Sequence, residues 1–216
     1  MKRRFLTLVV LTIMVAGTAW SQVDFGVRAG INFQNMNGKY EDGDKLDNGL
    51  KLGFHAGVEA DIPLVPDFYI QPGIFFSTKG ASKFLKDAIG ADVKASVSYI
   101  EVPVHFLYKP ALGSGKVFIG FGPYFAYGIS GKVSNDANEL DIEFTNDIVD
   151  LDLDNFPLRP LDIGADIFFG YQFDFGFFAQ INAQLGLVNL VPKFDGEKPE
   201  DVIKNTGFGL SLGYKF

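Results

Sequence analysis

Gly207-Phe208-Gly209-Leu210-Ser211-Leu212-Gly213-Tyr214-Lys215-Phe216 alternates without a break. Phe208, Leu210, Leu212, Tyr214 and Phe216 share one face, while Gly207, Gly209, Ser211, Gly213 and Lys215 share the other, a period of two that fits a strand and not a helix. One face is bulky and apolar, the other small and polar. Such a strand suits either the edge of a soluble sandwich or the closing strand of a barrel whose outer wall meets lipid. The rest of the chain decides between them.

Seven more segments repeat the pattern. Val23 to Gln34 sets Phe25, Val27, Ala29, Ile31 and Phe33 against Asp24, Gly26, Arg28, Gly30, Asn32 and Gln34, and Leu50 to Ile62 sets Leu52, Phe54, Val58 and Ile62 against Lys51, His55, Glu59 and Asp61. Phe68 to Lys79 places Gln71 on the polar side and is weakened by Pro72, which removes a ladder donor. Val97 to Lys109 carries Glu101 and His105 on its polar side, and Val117 to Ile129 opposes Phe121, Phe125 and Tyr127 to Gly120, Gly122 and Tyr124. Arg159 to Phe173 carries Asp162 and Asp166, and Gly176 to Val188 carries Gln180. With the terminal strand this predicts an all-β fold, an eight-stranded antiparallel up-and-down transmembrane β-barrel, since an even number closes with both ends on one side.

The connections carry a second regularity. Asn35 to Gly49, Gly80 to Ser96, Ser130 to Leu158 and Asn189 to Lys204 are long and polar, whereas Pro63 to Asp67, Pro110 to Lys116 and the turn at Asp174-Phe175 are short. Long and short alternate throughout, as in barrels with long outer loops and short periplasmic turns. Aromatic residues gather at the short-turn ends (Phe25, Phe68, Tyr108, Tyr171, Phe173, Phe175, Phe177, Tyr214 and Phe216), where an interfacial girdle belongs.

Facing follows from bulk. The apolar set is large and nearly uncharged, which suits lipid; the other set mixes Gly, Ala and Ser with Arg28, Lys51, His55, Glu59, Gln71, Glu101, His105, Asp162, Asp166 and Gln180, which suits a crowded, salt-bridged lumen. The 25 Gly, 23 Phe and 8 Tyr fit the same design, aromatics outside and glycine where space runs out.

Four blocks carry a family resemblance: Phe25-Gly26-Val27-Arg28-Ala29-Gly30, Gly53-Phe54-His55-Ala56-Gly57, Tyr69-Ile70-Gln71-Pro72-Gly73-Ile74 with Thr78-Lys79-Gly80, and Tyr99-Ile100-Glu101-Val102-Pro103. In order and spacing they resemble the porin-like outer-membrane β-barrel domain family of Bacteroidota, the PorT-type barrels. The resemblance covers Gln22 to Phe216 and implies an outer-membrane barrel, with no catalytic motif to carry over.

The start of the chain reads as a secretory signal peptide over residues 1–21, ahead of a barrel domain over 22–216: Met1-Lys2-Arg3-Arg4 is basic, Phe5 to Trp20 is apolar, and Ala19-Trp20-Ser21 precedes a cleavage point. Its removal takes three positive charges from a net charge of −7, giving −7 − 3 = −10, a poor balance for binding nucleic acid. The expected partners are outer-membrane lipid and, through the C-terminal strand, the barrel-insertion machinery.

Little chemistry is legible. His55 and Glu59, like Glu101 and His105, stand four residues apart on one strand face, about 13 Å at roughly 3.4 Å per residue, too far for shared metal ligation. No cofactor and no metal is expected. For a Ser–His–acid enzyme, Ser77 and Ser98 lie towards the long-loop rim with neither His in reach, so a lipid-modifying activity is the weaker reading. The third long loop gathers Asp136, Glu139, Asp141, Glu143, Asp147, Asp150, Asp152 and Asp154 against Lys132, interleaved with Leu140, Ile142, Phe144, Ile148, Val149, Leu151 and Leu153; this reads first as strands five and six extending beyond the membrane with a solvated acidic face, and otherwise as an acidic surface for an extracellular protein or a divalent cation. Replacing Ser134 to Asp154 is expected to spare folding, because paired strands hold the loop ends. A structural or adhesive role follows, with a narrow porin-like channel as the alternative.

Overall fold

A computed structural model describes residues 23–40, 43–46, 48–84, 93–135, 138–149 and 154–216. The expected signal peptide lies outside the described residues, as do Asp136, Asp150 and Asp152. Eight long strands form the wall: β1 (Asp24–Lys39), β2 (Lys51–Val65), β3 (Phe68–Ala81), β4 (Lys94–Tyr108), β5 (Gly115–Ser134), β6 (Leu161–Gln172), β7 (Phe177–Gly186) and β8 (Val202–Lys215). Each pairs antiparallel with its chain neighbour, and β8 closes on β1 from Gly26↔Lys215 to Lys39↔Val202. Closure pairs every wall strand on both edges, which a spanning sheet needs because lipid offers its backbone no hydrogen bonds.

Side-chain parity sorts the wall. Phe25, Val27, Phe54, Val58, Ile74, Phe121, Ile167, Ile181, Leu210 and Leu212 are exposed, while the intervening Arg28, His55, Glu59, Gln71, Glu101 and Gln180 are buried. The inner space is tight enough that glycines lie beneath aromatic rings: a Cβ on Gly120 would fall 2.2 Å from Phe168 Cζ, and one on Gly213 2.2 Å from Phe178 Cζ. At the short-turn end the rings of Tyr171, Phe173, Phe175, Phe177, Tyr214 and Phe216 touch in sequence at centroid spacings of 5.2 to 5.7 Å, a continuous aromatic arc around the rim.

At the long-loop end the fifth strand extends as expected, with an exposed acidic face beside it, while the sixth starts at Leu161 without an extension. β5 runs on to Ser134, and the third connection is not simply a loop: Glu139–Phe144 pairs antiparallel with β5, and Asn155–Leu158 pairs parallel with Glu139–Phe144. A one-residue shift of register between β4 and β5, at Ser98/Tyr99, marks the start of this extension. The extra residue keeps Ile129 outside while turning Val133 inside, the usual work of a bulge. Ile142 and Leu158 from the third connection join Met36, Val97, Val133, Leu190 and Ile203 in one buried apolar cluster that caps the barrel. Ile142 of the Glu139–Phe144 strand belongs to this cluster, so replacing Ser134 to Asp154 would remove a buried cap residue, a cost that the sequence expectation of a spared fold left out.

Candidate functional site

The lumen is filled in three layers. Nearest the short turns, three strand ends meet. Asp61, late in β2, accepts from Lys109 Nζ at 2.6 Å, just past β4, from Lys215 Nζ at 2.7 Å, at the end of β8, and from Gln71 Nε2 at 2.8 Å. Glu59, one inward position higher on β2, accepts from Arg28 Nε at 3.0 Å and pairs with Lys215 Nζ at 2.8 Å. Asp61 and Glu59 thus share one net with Arg28, Lys109 and Lys215, and half-exposed Asp24 joins it 3.8 Å from Lys109 Nζ.

In the middle layer, His55 bridges β2 to both neighbours of the barrel closure. Its Nδ1 lies 2.7 Å from Asn32 Oδ1 and its Nε2 2.8 Å from Ser211 Oγ. The guanidinium of Arg28 lies 4.2 Å from the Phe75 ring centroid, and His105 Nε2 sits 3.1 Å from Asp166 Oδ2 while its ring meets Phe168 edge-on. These groups surround a cavity of about 30 Å³ with polar walls, room for ordered water and little else.

The upper layer centres on Lys79, 1% exposed. Its Nζ pairs with Glu101 at 2.8 Å and Asp162 at 3.2 Å and lies 4.0 Å from the Tyr124 ring centroid. Asn205 Nδ2 and the Tyr124 hydroxyl also donate to Asp162, and Gln184 Nε2 donates to Glu101. Directly above begins the apolar cap, in which Tyr99, Ala126, Val97 and Ala95 continue the same inward face.

The buried cations are Arg28, Lys79, Lys109 and Lys215, and the buried carboxylates are Glu59, Asp61, Glu101 and Asp162. Among the described residues each of these cations is ion-paired with at least one of these carboxylates. Such pairs repay their desolvation only when their geometry is good, and breaking one leaves a stranded charge.

Of the lumen residues expected from sequence, Arg28, His55, Glu59, Gln71, Glu101, His105, Asp162 and Gln180 are buried inside, with Asp166 bonded to His105 and Lys51 at the upper rim donating to Ser96. Lys79, Lys109 and Lys215, which organise the layers, were not singled out, nor were Asn205 and Ser211. Ser77 is buried beside Asn32 and not at the rim. Ser211, which was not weighed beside Ser77 and Ser98, forms with His55 and Asn32 a hydrogen-bonded chain in the order of a nucleophile, a base and its orienter. Ser211 is 1% exposed, however, so an acyl substrate has no approach to its hydroxyl, and the chain works as a strap across β8, β2 and β1.

The acidic loop residues do not converge. Glu139, Asp141 and Glu143 stand along the solvent face of one strand, where Glu139 is ion-paired with Lys132 and by its hydrogen bond raises that lysine above the ordinary value. Asp147 bonds to the Gly196 amide and Asp154 is exposed. Among the described residues no group of His, Asp and Glu is arranged to hold a metal ion.

A family model described as outer membrane protein beta-barrel domain matches residues 16–191. No curated protein matches the chain. Among solved structures, the chain is similar to Ail, the attachment invasion locus protein of Yersinia pestis, in complex with the heparin analogue sucrose octasulfate, at 14% identity and TM-score 0.43, over 90% of this chain and 99% of that one. It is similar to OprG from Pseudomonas aeruginosa at 11% identity and TM-score 0.49, over 89% and 95% of the two chains. Neisserial surface protein A aligns at 11% identity and TM-score 0.46, over 89% and 97%. None of the three likenesses bears on what the lumen or the loops bind.

Proposed function

The chain belongs to the outer membrane protein β-barrel domain family, and on that premise we propose that it is a closed barrel of structural or adhesive type whose long-loop end meets a protein partner outside the cell. Its short turns and both strand termini then face the periplasm, in keeping with the short-turn aromatic arc and the long-loop alternation. We assign it to the PorT-type branch on the four sequence blocks from Phe25 to Pro103, and assign the contact with the insertion machinery to β8, whose outer face ends on Phe216.

The observation that carries the reading is the doubly closed interior, an ion-paired lumen beneath an apolar cap. Eight strands enclose little more than their own side chains. With the inside filled, the exposed chemistry is outside, where the long connections are tied into one folded surface: Gly49 and Ser82 exchange backbone hydrogen bonds, and Asp147–Ile148 pairs with Lys193–Phe194. That surface exposes Glu139, Asp141, Glu143 and Asp154 and also Val149 and Phe194, which fits a partner that carries both basic and apolar groups.

Proteoliposomes carrying the protein test this on surfaces coated with a basic protein, lysozyme, or an acidic one, serum albumin. Retention on lysozyme is expected, with loss on reversing Glu139, Asp141 and Glu143 to Lys; equal retention of both variants would overturn the acidic-surface reading.

A further inference from the structure

One row of the wall interrupts two neighbouring ladders. β2 and β3 pair through Val58↔Ile74 and Glu59↔Gly73 and again from Ile62↔Ile70, but Ala60 and Asp61 against Pro72 and Gln71 carry no ladder pair. Between β3 and β4 the pairing likewise stops at Phe75↔Glu101 and resumes at Pro72↔Val104, with Pro103 in the gap. Pro72 and Pro103 have no N–H to donate, so neither ladder can run continuously past them.

On the outer surface this row is a depression. Ala60 and Pro72 are short side chains on its floor; Phe25 and Phe216 rise on one side, Ile74 and Val102 on the other. Together they line an open groove of about 550 Å³, within the roughly 300–1,000 Å³ of small-molecule sites. Glu59 is the charged residue of the lining, and its carboxylate is turned away, held in the lumen by Arg28 and Lys215. The groove therefore offers no polar handle. What it offers is shape.

We propose that this groove is a binding site for one acyl chain of a membrane phospholipid, with the headgroup beside Phe25 and Phe216 at the short-turn rim. The groove is continuous with the lipid-facing belt of Val27, Val58 and Ile62. Lipid tails are as apolar as the wall, so the selection rests on packing: a flexible chain restores the dispersion contacts that an unfilled depression forfeits. Exposed Leu210 and Leu212 on β8 provide a comparison patch on the same belt. The chain site needs only the outer-membrane assignment; its placement in the periplasmic leaflet rests on the orientation proposed above.

The test is photo-crosslinking of the refolded protein in phosphatidylethanolamine vesicles doped with phosphatidylethanolamine bearing a diazirine in its acyl chain. Adducts are expected to concentrate on Val58–Ala60 and Pro72–Ile74. Ala60→Trp, which fills the floor, should abolish them, and Leu212→Trp should not; heat-resistant gel mobility checks that both fold, and Ala60→Leu serves if the larger residue does not. Adducts spread evenly around the belt would overturn the site, as would protein–protein adducts at the groove, which would assign it to a second copy. With the label confined to one leaflet and the long loops located by protease, adducts arising only from the long-loop side would overturn the leaflet assignment and spare the chain site.

Discussion

The barrel has two interiors built from the same strands. At the level of the apolar outer belt the inward face is charged, with Asp61, Lys109, Lys215, Glu59 and Arg28 in one net; beyond the Ser98/Tyr99 bulge it is apolar, with Val97, Ala95, Val133 and Met36. The outer face reverses at the same level, from Phe125 and Ile129 to Lys132, Glu139 and Asp141. The inside of a strand is thus set by what surrounds its outside. Where lipid takes the bulky residues, the interior is left to small and polar ones that must satisfy one another; where water returns, the hydrophobic effect drives the bulky residues back inside.

If that division is right, the two interiors should fail differently. The largest loss is expected in the charged one: Asp61→Ala removes the nearest carboxylate of buried Lys109 and one of the two that hold Lys215, at a cost of about 3–5 kcal/mol in denaturant titration of the vesicle-inserted protein. A loss below about 1 kcal/mol would mean that water already screens the net as it does at a surface. In the cap, Met36→Ala leaves a void among apolar neighbours, about 2–5 kcal/mol by the same titration. Ile74→Arg probes the outside of the belt, where Ile74 is 57% exposed; it should cost about 2–4 kcal/mol in lipid, the range for arginine near the bilayer midplane. The smallest effect belongs to Lys132→Ala, whose ion pair with Glu139 is fully open to solvent. Its unfolding midpoint should be unchanged, and a measurable drop would show that the extension is less solvated than its exposure indicates.

The wall was legible because lipid imposes a strict rule on it. Every wall strand must alternate, so a period of two, read from Phe208 to Phe216 and found seven times more, located all eight strands to within a few residues. The layers were not legible because their partners come from distant strands: Lys79 and Asp162, or Lys215 and Asp61, meet only once the closure and its register are known. Ser211 stood in the first stretch quoted, yet nothing in its own strand reveals His55 opposite. The cap was legible in part. Met36, Ala95, Val97, Val133 and Ile203 are inward positions that turn apolar at the long-loop ends, and Leu140, Ile142 and Phe144 alternate with the acids of the third connection as a strand with one dry face would.

Whether these two interiors close the barrel is tested most directly by planar-bilayer conductance of the refolded protein. The filled lumen and its cap predict a silent bilayer, and silence should persist in Met36→Ala, which thins the cap but leaves the three polar layers in place. Steady, single-sized openings of the wild-type protein would contradict the closed barrel and make it a narrow channel.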